Sequence, residues 1–191
     1  MSVAISAARI VLYTGNHTGK PTQGGMAISP KSAHQFDIRL TDWNDENAVA
    51  LRERLRQEIF SEYQGEPGTA LSAEDIPVFV VVTHNKTLPI ACGGLRPLSV
   101  AAAEVKRMYV EPEFRGRAFG VADVVLHQLE TQARERGWNI LRLATGVRMI
   151  QAQRFYERRG FYEIPAYGAF VGTMGSVCYE KILVADSSCG S

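Results

Sequence analysis

The stretch from Glu104 to Ala122 holds the residues of this chain whose types and spacing could do chemistry. Its first half alternates like a strand and turns at Glu111-Pro112-Glu113. A basic, glycine-bearing loop then leads into a helix that opens at Val121. The first N–H groups of a helix have no partner inside the helix, and the helix dipole places partial positive charge there. This order predicts a site for a phosphate-bearing ligand.

The residues of the loop favour the same kind of ligand. Gly116 and Gly120 can adopt backbone angles that side chains forbid, which lets a ligand approach the main chain. Arg115 and Arg117 add full charges whose fork geometry suits phosphate oxygens. The alternative is a plain strand–turn–helix connection with two solvated arginines, because glycine-rich turns before helices are common.

Two well-known phosphate-binding patterns are absent from the sequence. There is no Gly-x-x-x-x-Gly-Lys-Ser/Thr, which excludes the nucleoside triphosphatase loop. The dinucleotide fingerprint Gly-x-Gly-x-x-Gly is broken at Ala118 and Val121.

The loop and a second segment resemble the GNAT superfamily of acyl-CoA-dependent N-acetyltransferases. The family motif Gln/Arg-x-x-Gly-x-Gly/Ala stands here as Arg115-Gly116-Arg117-Ala118-Phe119-Gly120, with Ala118 in place of the usual middle glycine. The family pattern Asn-x-x-Ala-x-x-Leu-Tyr-x-x-x-Gly-Phe is similar to Ala152-Gln-Arg-Phe155-Tyr156-Glu-Arg-Arg-Gly160-Phe161, with Met149 at the Asn position. The resemblance covers roughly residues 37 to 184, and both motifs have the family's order and spacing.

The resemblance implies that acetyl-CoA is the co-substrate. In the family its pantetheine arm lies like an extra strand in a splayed gap beside the strand that corresponds to Glu104–Val110, where unpaired main-chain groups can bind a ligand. The cofactor-binding residues expected from the resemblance are Met108, Tyr109, Val110, Arg115, Gly116, Arg117, Ala118, Phe119, Gly120 and Val121. No metal is expected, because the four histidines have neither metal-ligand nor triad spacing.

Acetyl transfer to an amine requires a proton acceptor, since free lysine-type amines have a pKa near ~10.4. Glu104 is the candidate base, because strand alternation places it on one sheet face with Lys106 and Met108. A glutamate on this strand frequently has that role in the family. The alternative is an exposed glutamate at the strand end that pairs with Lys106.

The resemblance assigns Tyr156 as the general acid. A phenol with a pKa near ~10 is protonated at neutral pH and can donate to the leaving thiolate. The alternative is a core tyrosine beside Phe155 that packs its helix on the sheet.

The sequence indicates less clearly which residues would bind the acceptor substrate. Arg96 and Arg107 could hold a carboxylate of the substrate, although Arg107 alternates away from Glu104 and could instead form an ion pair on the other sheet face. The aromatic, glycine-rich segment at residues 166–175 is either a loop over the acceptor cleft or a linker between strands.

Length and composition agree with a single soluble globular domain. The chain has 191 residues, of which 46% are hydrophobic and 21% charged, and its net charge is +1. This balance gives no case for nucleic-acid or membrane partners, and a homodimer is left open. Three cysteines without metal spacing and the lack of a signal peptide favour a cytoplasmic, reducing location.

The predicted organisation has three parts. Residues 1–36 form a loosely ordered extension, residues 37–184 the N-acetyltransferase domain and residues 185–191 a tail. The extension has no acidic residue, which is also typical of an organellar transit peptide. Ala8–Tyr13 could add a strand to the domain.

Hydrophobic patterns predict strands and helices in alternation along the chain. The predicted strands cover residues 36–40, 78–83, 89–95, 104–110, 140–144, 161–164 and 177–184. The predicted helices follow residues 41–44, open at Val121 and span residues 148–159. The fold class is α/β, with a twisted, mostly antiparallel GNAT-like sheet of six to seven strands and helices on both faces.

These features predict an N-acetyltransferase that moves an acetyl group from acetyl-CoA to a primary amine of a small-molecule or amino-acid-like acceptor. Direct attack in a ternary complex is expected, because no cysteine lies near the motifs. A protein lysine or N-terminus is an alternative acceptor. A non-catalytic acyl-CoA-binding module stays open because of Ala118 and Met149, and a binder of another phosphorylated ligand is a third alternative.

Overall fold

The part of the chain that the structure describes contains eight strands, three α-helices and two short 3-10 helices. The computed structural model describes residues 10–11, 36–63, 70–116 and 118–183. The strands are β1 Ile10–Val11, β2 Phe36–Thr41, β3 Val78–His84, β4 Leu88–Pro97, β5 Ala102–Val110, β6 Ile140–Gly146, β7 Tyr162–Ile164 and β8 Ser176–Ile182. The helices are α1 Glu46–Tyr63, α2 Val121–Glu135 and α3 Ile150–Arg158.

The strands form one sheet in the order β1-β2-β3-β4-β5-β6-β8-β7. All neighbours are antiparallel except β5 and β6, which confirms the predicted mixed, mostly antiparallel class. The two-residue β1 lies within the segment predicted as an extra strand and pairs Ile10 with Ile38. Phe36, the last residue of the predicted extension, opens β2. The rest of the extension, and the predicted tail, lie outside the described residues.

Helices cover both faces of the sheet, as predicted. The α1 side is a core in which Ala48, Leu51 and Leu55 pack against strand residues such as Phe79. The α2 side is a larger core that also receives Tyr156 from α3. Burying an apolar stripe of each helix against the sheet supplies most of the stabilisation of such a layer.

Asp45 caps α1 by accepting hydrogen bonds from the N–H groups of Asn47 and Ala48 at 3.0 and 3.1 Å. The prediction placed the cap between Thr41 and Asn44, one residue too early. No helix among the described residues is long and apolar enough to cross a membrane.

A bulge interrupts the alternation of β5. Its register with β4 shifts between Cys92 and Gly94, and Arg107 opposite has a φ of 54°. Val105 and Val110 consequently share the α2-side core although they are five positions apart, an odd offset that would place them on opposite faces of a regular strand. Met108 also packs on this side, so the prediction that it shares a face with Glu104 is wrong.

Beyond the bulge, β5 and β6 separate. Their parallel register covers only Ala102 to Glu104 on β5, which pair with residues 140 to 142 on β6. From there β6 continues to pair with β8 as far as Gly146. The splayed gap implied by the family resemblance is therefore present, and it begins next to Glu104.

Candidate active site

A cleft of about 1110 Å³ opens where β5 and β6 separate. Its walls are the end of β5, the loop that follows, the start of α2, the last turns of α1 and the exposed face of α3. Met108, Tyr109 and Val110 line it, as do Gly116 and Gly120. The structure thus brings the strand and the loop of the predicted cofactor site to one place.

The loop between β5 and α2 requires glycine because of its backbone angles, and not because a side chain would lack room. Gly116 and Gly120 have φ values of 98° and 65°, a region that side chains rarely adopt. A Cβ at Gly116 would meet no atom within 4 Å. Gly120 precedes α2 without a side-chain cap, so the helix presents its first N–H groups next to the cleft. Arg117 lies outside the described residues.

Arg115 does not offer a free guanidinium to a ligand. Its Nε donates to the carbonyl of Val110 at 2.8 Å, and its two terminal nitrogens donate to the Glu58 carboxylate at 3.1 and 2.6 Å. Burial alone would lower the pKa of Arg115, but the hydrogen bonds to Glu58 outweigh it and raise that pKa. Arg115 therefore ties α1 to the loop.

The remaining residues of the two motifs differ in their burial and in their contacts. Ala118 is exposed, while Phe119 packs on Phe114 with ring centroids 5.8 Å apart. Val121 is buried in the α2-side core, so only its main chain could serve a ligand. Met149 lines the cleft, and its sulphur accepts a weak hydrogen bond from the Thr145 hydroxyl at 3.8 Å.

Tyr156 lines the cleft from α3 and is largely buried. Its hydroxyl donates to the Met108 sulphur at 3.5 Å. Its ring packs against Phe155 and Phe161, with centroids 5.3 and 5.5 Å away. Burial raises the pKa of Tyr156, so the phenol stays protonated at neutral pH. Tyr156 thus belongs to the core and to the cleft wall at once.

Glu104 is buried on the other face of β5, with 1% of its surface exposed. Its carboxylate accepts hydrogen bonds from Lys106 Nζ and from the Tyr167 hydroxyl, both at 2.9 Å. Arg96 forms a longer ion pair with it at 3.8 Å. The pairing with Lys106 agrees with the alternative drawn from the sequence, but the exposure expected in that alternative is wrong.

The β7–β8 loop, residues 165–175, covers Glu104. Tyr167 provides the hydroxyl bond, and the Phe170 ring lies 4.9 Å from Lys106 Nζ. Burial raises the pKa of Tyr167, and the charge of Glu104 raises it further. The sequence indicated a loop over the acceptor side, but it contained no signal that singled out Tyr167.

Arg107 has a φ of 54° at the bulge, so the strict alternation on which its predicted place opposite Glu104 depended ends there. Burial lowers the pKa of Arg107, while the charge of Glu104 raises it. Arg52 of α1 stacks on the Trp43 ring, 3.6 Å from its centroid. It was missed in the sequence, where helical spacing marked only the apolar face of this helix.

Comparison with known proteins decides the family. The acetyltransferase (GNAT) family profile matches residues 38–161, which is more than half of the chain. This chain belongs to the GNAT family. An IAA acetyltransferase of Azospirillum brasilense is 29% identical over 140 residues, which cover 71% of this chain and 90% of the relative.

Two solved structures share the GNAT fold of this chain. A protein of Klebsiella pneumoniae subsp. pneumoniae MGH 78578, provisionally named an acyl-CoA N-acyltransferase, superposes with a TM-score of 0.67 at 25% identity. The match covers 78% of this chain and 98% of that protein. A GNAT acetyltransferase of Elizabethkingia anophelis, solved with acetyl-CoA bound, has a TM-score of 0.58 at 15% identity and covers 78% and 98% of the two chains.

The chain is therefore an acyl-CoA-dependent acetyltransferase, and the predicted enzyme class is confirmed. Family membership favours the enzyme over a non-catalytic acyl-CoA-binding module. The cleft fits acetyl-CoA, the acyl donor of GNAT enzymes, because the splayed strand and the glycine loop both border it. Among the described residues no cluster of histidine, cysteine or acidic side chains could hold a metal ion.

Proposed function

We propose that this GNAT enzyme transfers the acetyl group of acetyl-CoA to a primary amine of a small-molecule or amino-acid-like acceptor. The amine attacks the thioester carbonyl directly, so that the N–C bond forms as the C–S bond breaks. The observation that carries this proposal is the gap between β5 and β6, with Tyr156 on one side of β5 and the buried carboxylate of Glu104 on the other.

Main-chain groups of β5 would bind the pantetheine arm. Met108, Tyr109 and Val110 follow the bulge on the strand edge that faces the gap. A ligand that lies along such an edge can form hydrogen bonds like an added strand. The pyrophosphate would lie at the loop from Arg115 to Val121, where glycine backbone angles and the start of α2 supply N–H donors.

Glu104 would accept the proton of the acceptor amine, directly or through a water molecule. Because Glu104 is buried beneath Tyr167, the amine reaches it only if the β7–β8 loop moves or admits the acceptor beside the tyrosine. Lys106 and Arg96 hold the carboxylate in place.

Tyr156 would protonate the departing thiolate. Its hydroxyl already donates to a sulphur atom, that of Met108, and burial favours the neutral phenol. The proton returns to the phenol from solvent after CoA leaves. Arg96, which pairs with Glu104, and Arg107 would contact the acceptor.

The test is thiol release from acetyl-CoA in the presence of an amine panel that includes small amines, amino acids, a lysine peptide and a peptide with a free N-terminus. Release with small amines or amino acids, and not with the peptides, supports the proposal. Release with a peptide alone would instead favour a protein acceptor. Binding of CoA without release from any amine would contradict a catalytic role for the cleft.

A further inference from the structure

Two arginines of α3 line the cleft without a protein partner. Arg154 and Arg158 both border the cavity, and both are exposed. Among the described residues, neither forms a hydrogen bond, an ion pair or a contact with an aromatic ring. These two residues, the α3 arginine pair, therefore have all their guanidinium N–H groups available to a ligand.

The cleft concentrates positive charge, and its other arginines already have partners. Arg115 donates to the Glu58 carboxylate at 2.6 Å. Arg148 donates to the main-chain carbonyl of Glu62 at 3.1 Å. Among the described residues that form the walls there are five arginines and three acidic residues, which is an excess of two positive charges. The net charge of the whole chain is only +1, so the cleft is more basic than the rest of the protein.

The α3 arginine pair lies beside the proposed place of the pyrophosphate. Arg159 directly follows Arg158 at the end of α3 and forms an ion pair with Asp123 in the first turn of α2. The Asp123 carboxylate lies 3.9 Å from the Cβ position of Gly120. These contacts join the last turn of α3 to the start of α2. A ligand whose pyrophosphate is held at that helix start therefore has the α3 arginine pair next to it.

The spacing of the pair suits one phosphate group. Arg154 and Arg158 are four positions apart on α3, which places their Cβ atoms on one helix face about 5–6 Å apart. Two guanidinium forks at this distance can both bond to the oxygens of a single phosphate. Like charges at this spacing disfavour the helix, and a bound phosphate would remove that repulsion. The helix dipole favours a cation in the last turn, where Arg158 lies, but its effect does not extend back to Arg154.

CoA carries a phosphate that the glycine loop does not account for. Besides the pyrophosphate, the ribose of CoA has a phosphate monoester at its 3′ position. A phosphate monoester has a charge of about −1.5 to −2 at neutral pH. This charge matches the excess of two positive charges in the cleft.

We propose that Arg154 and Arg158 bind the 3′-phosphate of CoA. This inference rests on the proposed function, because it takes the pyrophosphate to lie at the start of α2. It narrows the acyl donor to thioesters of CoA that carry the 3′-phosphate, in preference to thioesters of dephospho-CoA, which lacks it.

Two ligands that differ only in this phosphate test the inference on the unaltered full-length protein. Calorimetric titration measures the Kd of CoA and the Kd of dephospho-CoA. We expect the Kd of dephospho-CoA to be about tenfold higher, because charge-assisted hydrogen bonds to the phosphate are lost. Both ligands have the same pyrophosphate and pantetheine arm, so the ratio of the two Kd values reports the 3′-phosphate alone.

The double variant Arg154→Gln/Arg158→Gln connects that ratio to α3. It should raise the Kd of CoA about tenfold, to the value for dephospho-CoA, and change the Kd of dephospho-CoA by less than about twofold. Each single variant should keep part of the preference. The control is Arg56→Gln/Arg136→Gln, which removes the same charge at two exposed positions outside the cleft lining. It should keep the full preference for CoA.

The outcomes separate this inference from the function beneath it. Equal Kd values for the two ligands in the unaltered protein overturn the 3′-phosphate subsite and leave the acetyltransferase function intact. A preference for CoA that survives in the double variant also overturns it, as does an equal loss of affinity for both ligands. If the unaltered protein binds neither ligand, the proposed place of the donor fails and the subsite fails with it. A preference for CoA that depends on the α3 arginine pair supports the subsite, even if no amine of the panel releases thiol.

Discussion

The two sides of β5 differ in whether main-chain groups or side chains form the site. On the cleft side, the described part of the loop after β5 provides glycines with positive φ and a helix start, and the splayed strand provides main-chain groups. On the acceptor side, Glu104 is enclosed by side chains from other segments, including Arg96 of β4 and Tyr167 of the β7–β8 loop. The first side depends on backbone conformation, and the second depends on side-chain identity.

This difference suggests how substrate choice can change within one fold. Main-chain N–H groups are present whatever the side chains are, so a site made from them recognises the same donor in many sequences. Side chains contributed by loops and helices can be exchanged without altering the strand that carries them. Substitutions on the acceptor side should therefore alter turnover and acceptor choice, while those in the glycine loop should alter CoA affinity.

The largest expected effect is that of Glu104→Gln. Loss of the proposed base should lower kcat/KM for the acceptor by about 10²-fold or more, while the Kd for CoA stays within about threefold. Thiol-release kinetics and calorimetric titration with CoA measure the two quantities. Glu113→Gln, at an exposed position, is the control. If Glu104→Gln retained its turnover, Glu104 would not be the general base.

Tyr156→Phe should rank second, with kcat lower by about tenfold to 10²-fold and little change in CoA affinity. Because burial raises the pKa of Tyr156, its phenol stays protonated in mildly alkaline solution, and the deficit should be similar from about pH 6 to about pH 9. Tyr179→Phe removes the hydroxyl of another buried tyrosine, which donates to Glu157, and should leave kcat unchanged. An unaltered kcat in Tyr156→Phe would reject the acid role.

Gly120→Val tests the cleft side and should raise the Kd for CoA about tenfold through crowding of the loop. A side chain at this φ of 65° also costs about 1–2 kcal/mol of folding stability. Gly137→Val is the matched control, because Gly137 has a φ of 76° at the opposite end of α2 with no atom within 4 Å of its Cβ position. Equal CoA affinity in both variants would argue against the proposed place of the pyrophosphate.

The smallest expected effect is that of Tyr167→Phe, which removes one hydrogen bond from Glu104 and keeps the ring over it. We expect a change of about fivefold in KM for the acceptor, and CoA affinity should be unaffected. Tyr162→Phe, which loses a hydroxyl bonded to Glu180 on an exposed strand, controls for the chemical change. A shift in CoA affinity instead would mean that the two sides of β5 are not separate.

The cleft side was predictable because its signals are local. The strand, the positions of Gly116 and Gly120 and the start of α2 follow one another within twenty residues or so, and each has a conformational reason. The acceptor side was predicted only in part. Glu104 and Lys106 were paired correctly, whereas Met108 was predicted on the wrong face because a bulge cannot be seen in an alternating pattern.

The sequence by itself determined the class of sheet, the family and the loop that presents N–H groups, because hydrophobic periodicity and glycine spacing act over short distances along the chain. The tertiary structure decided that Arg115 binds Glu58 and that Tyr167 covers Glu104. These contacts join residues more than fifty positions apart. Their geometry depends on how α1, β5 and the β7–β8 loop pack together, which no local pattern encodes.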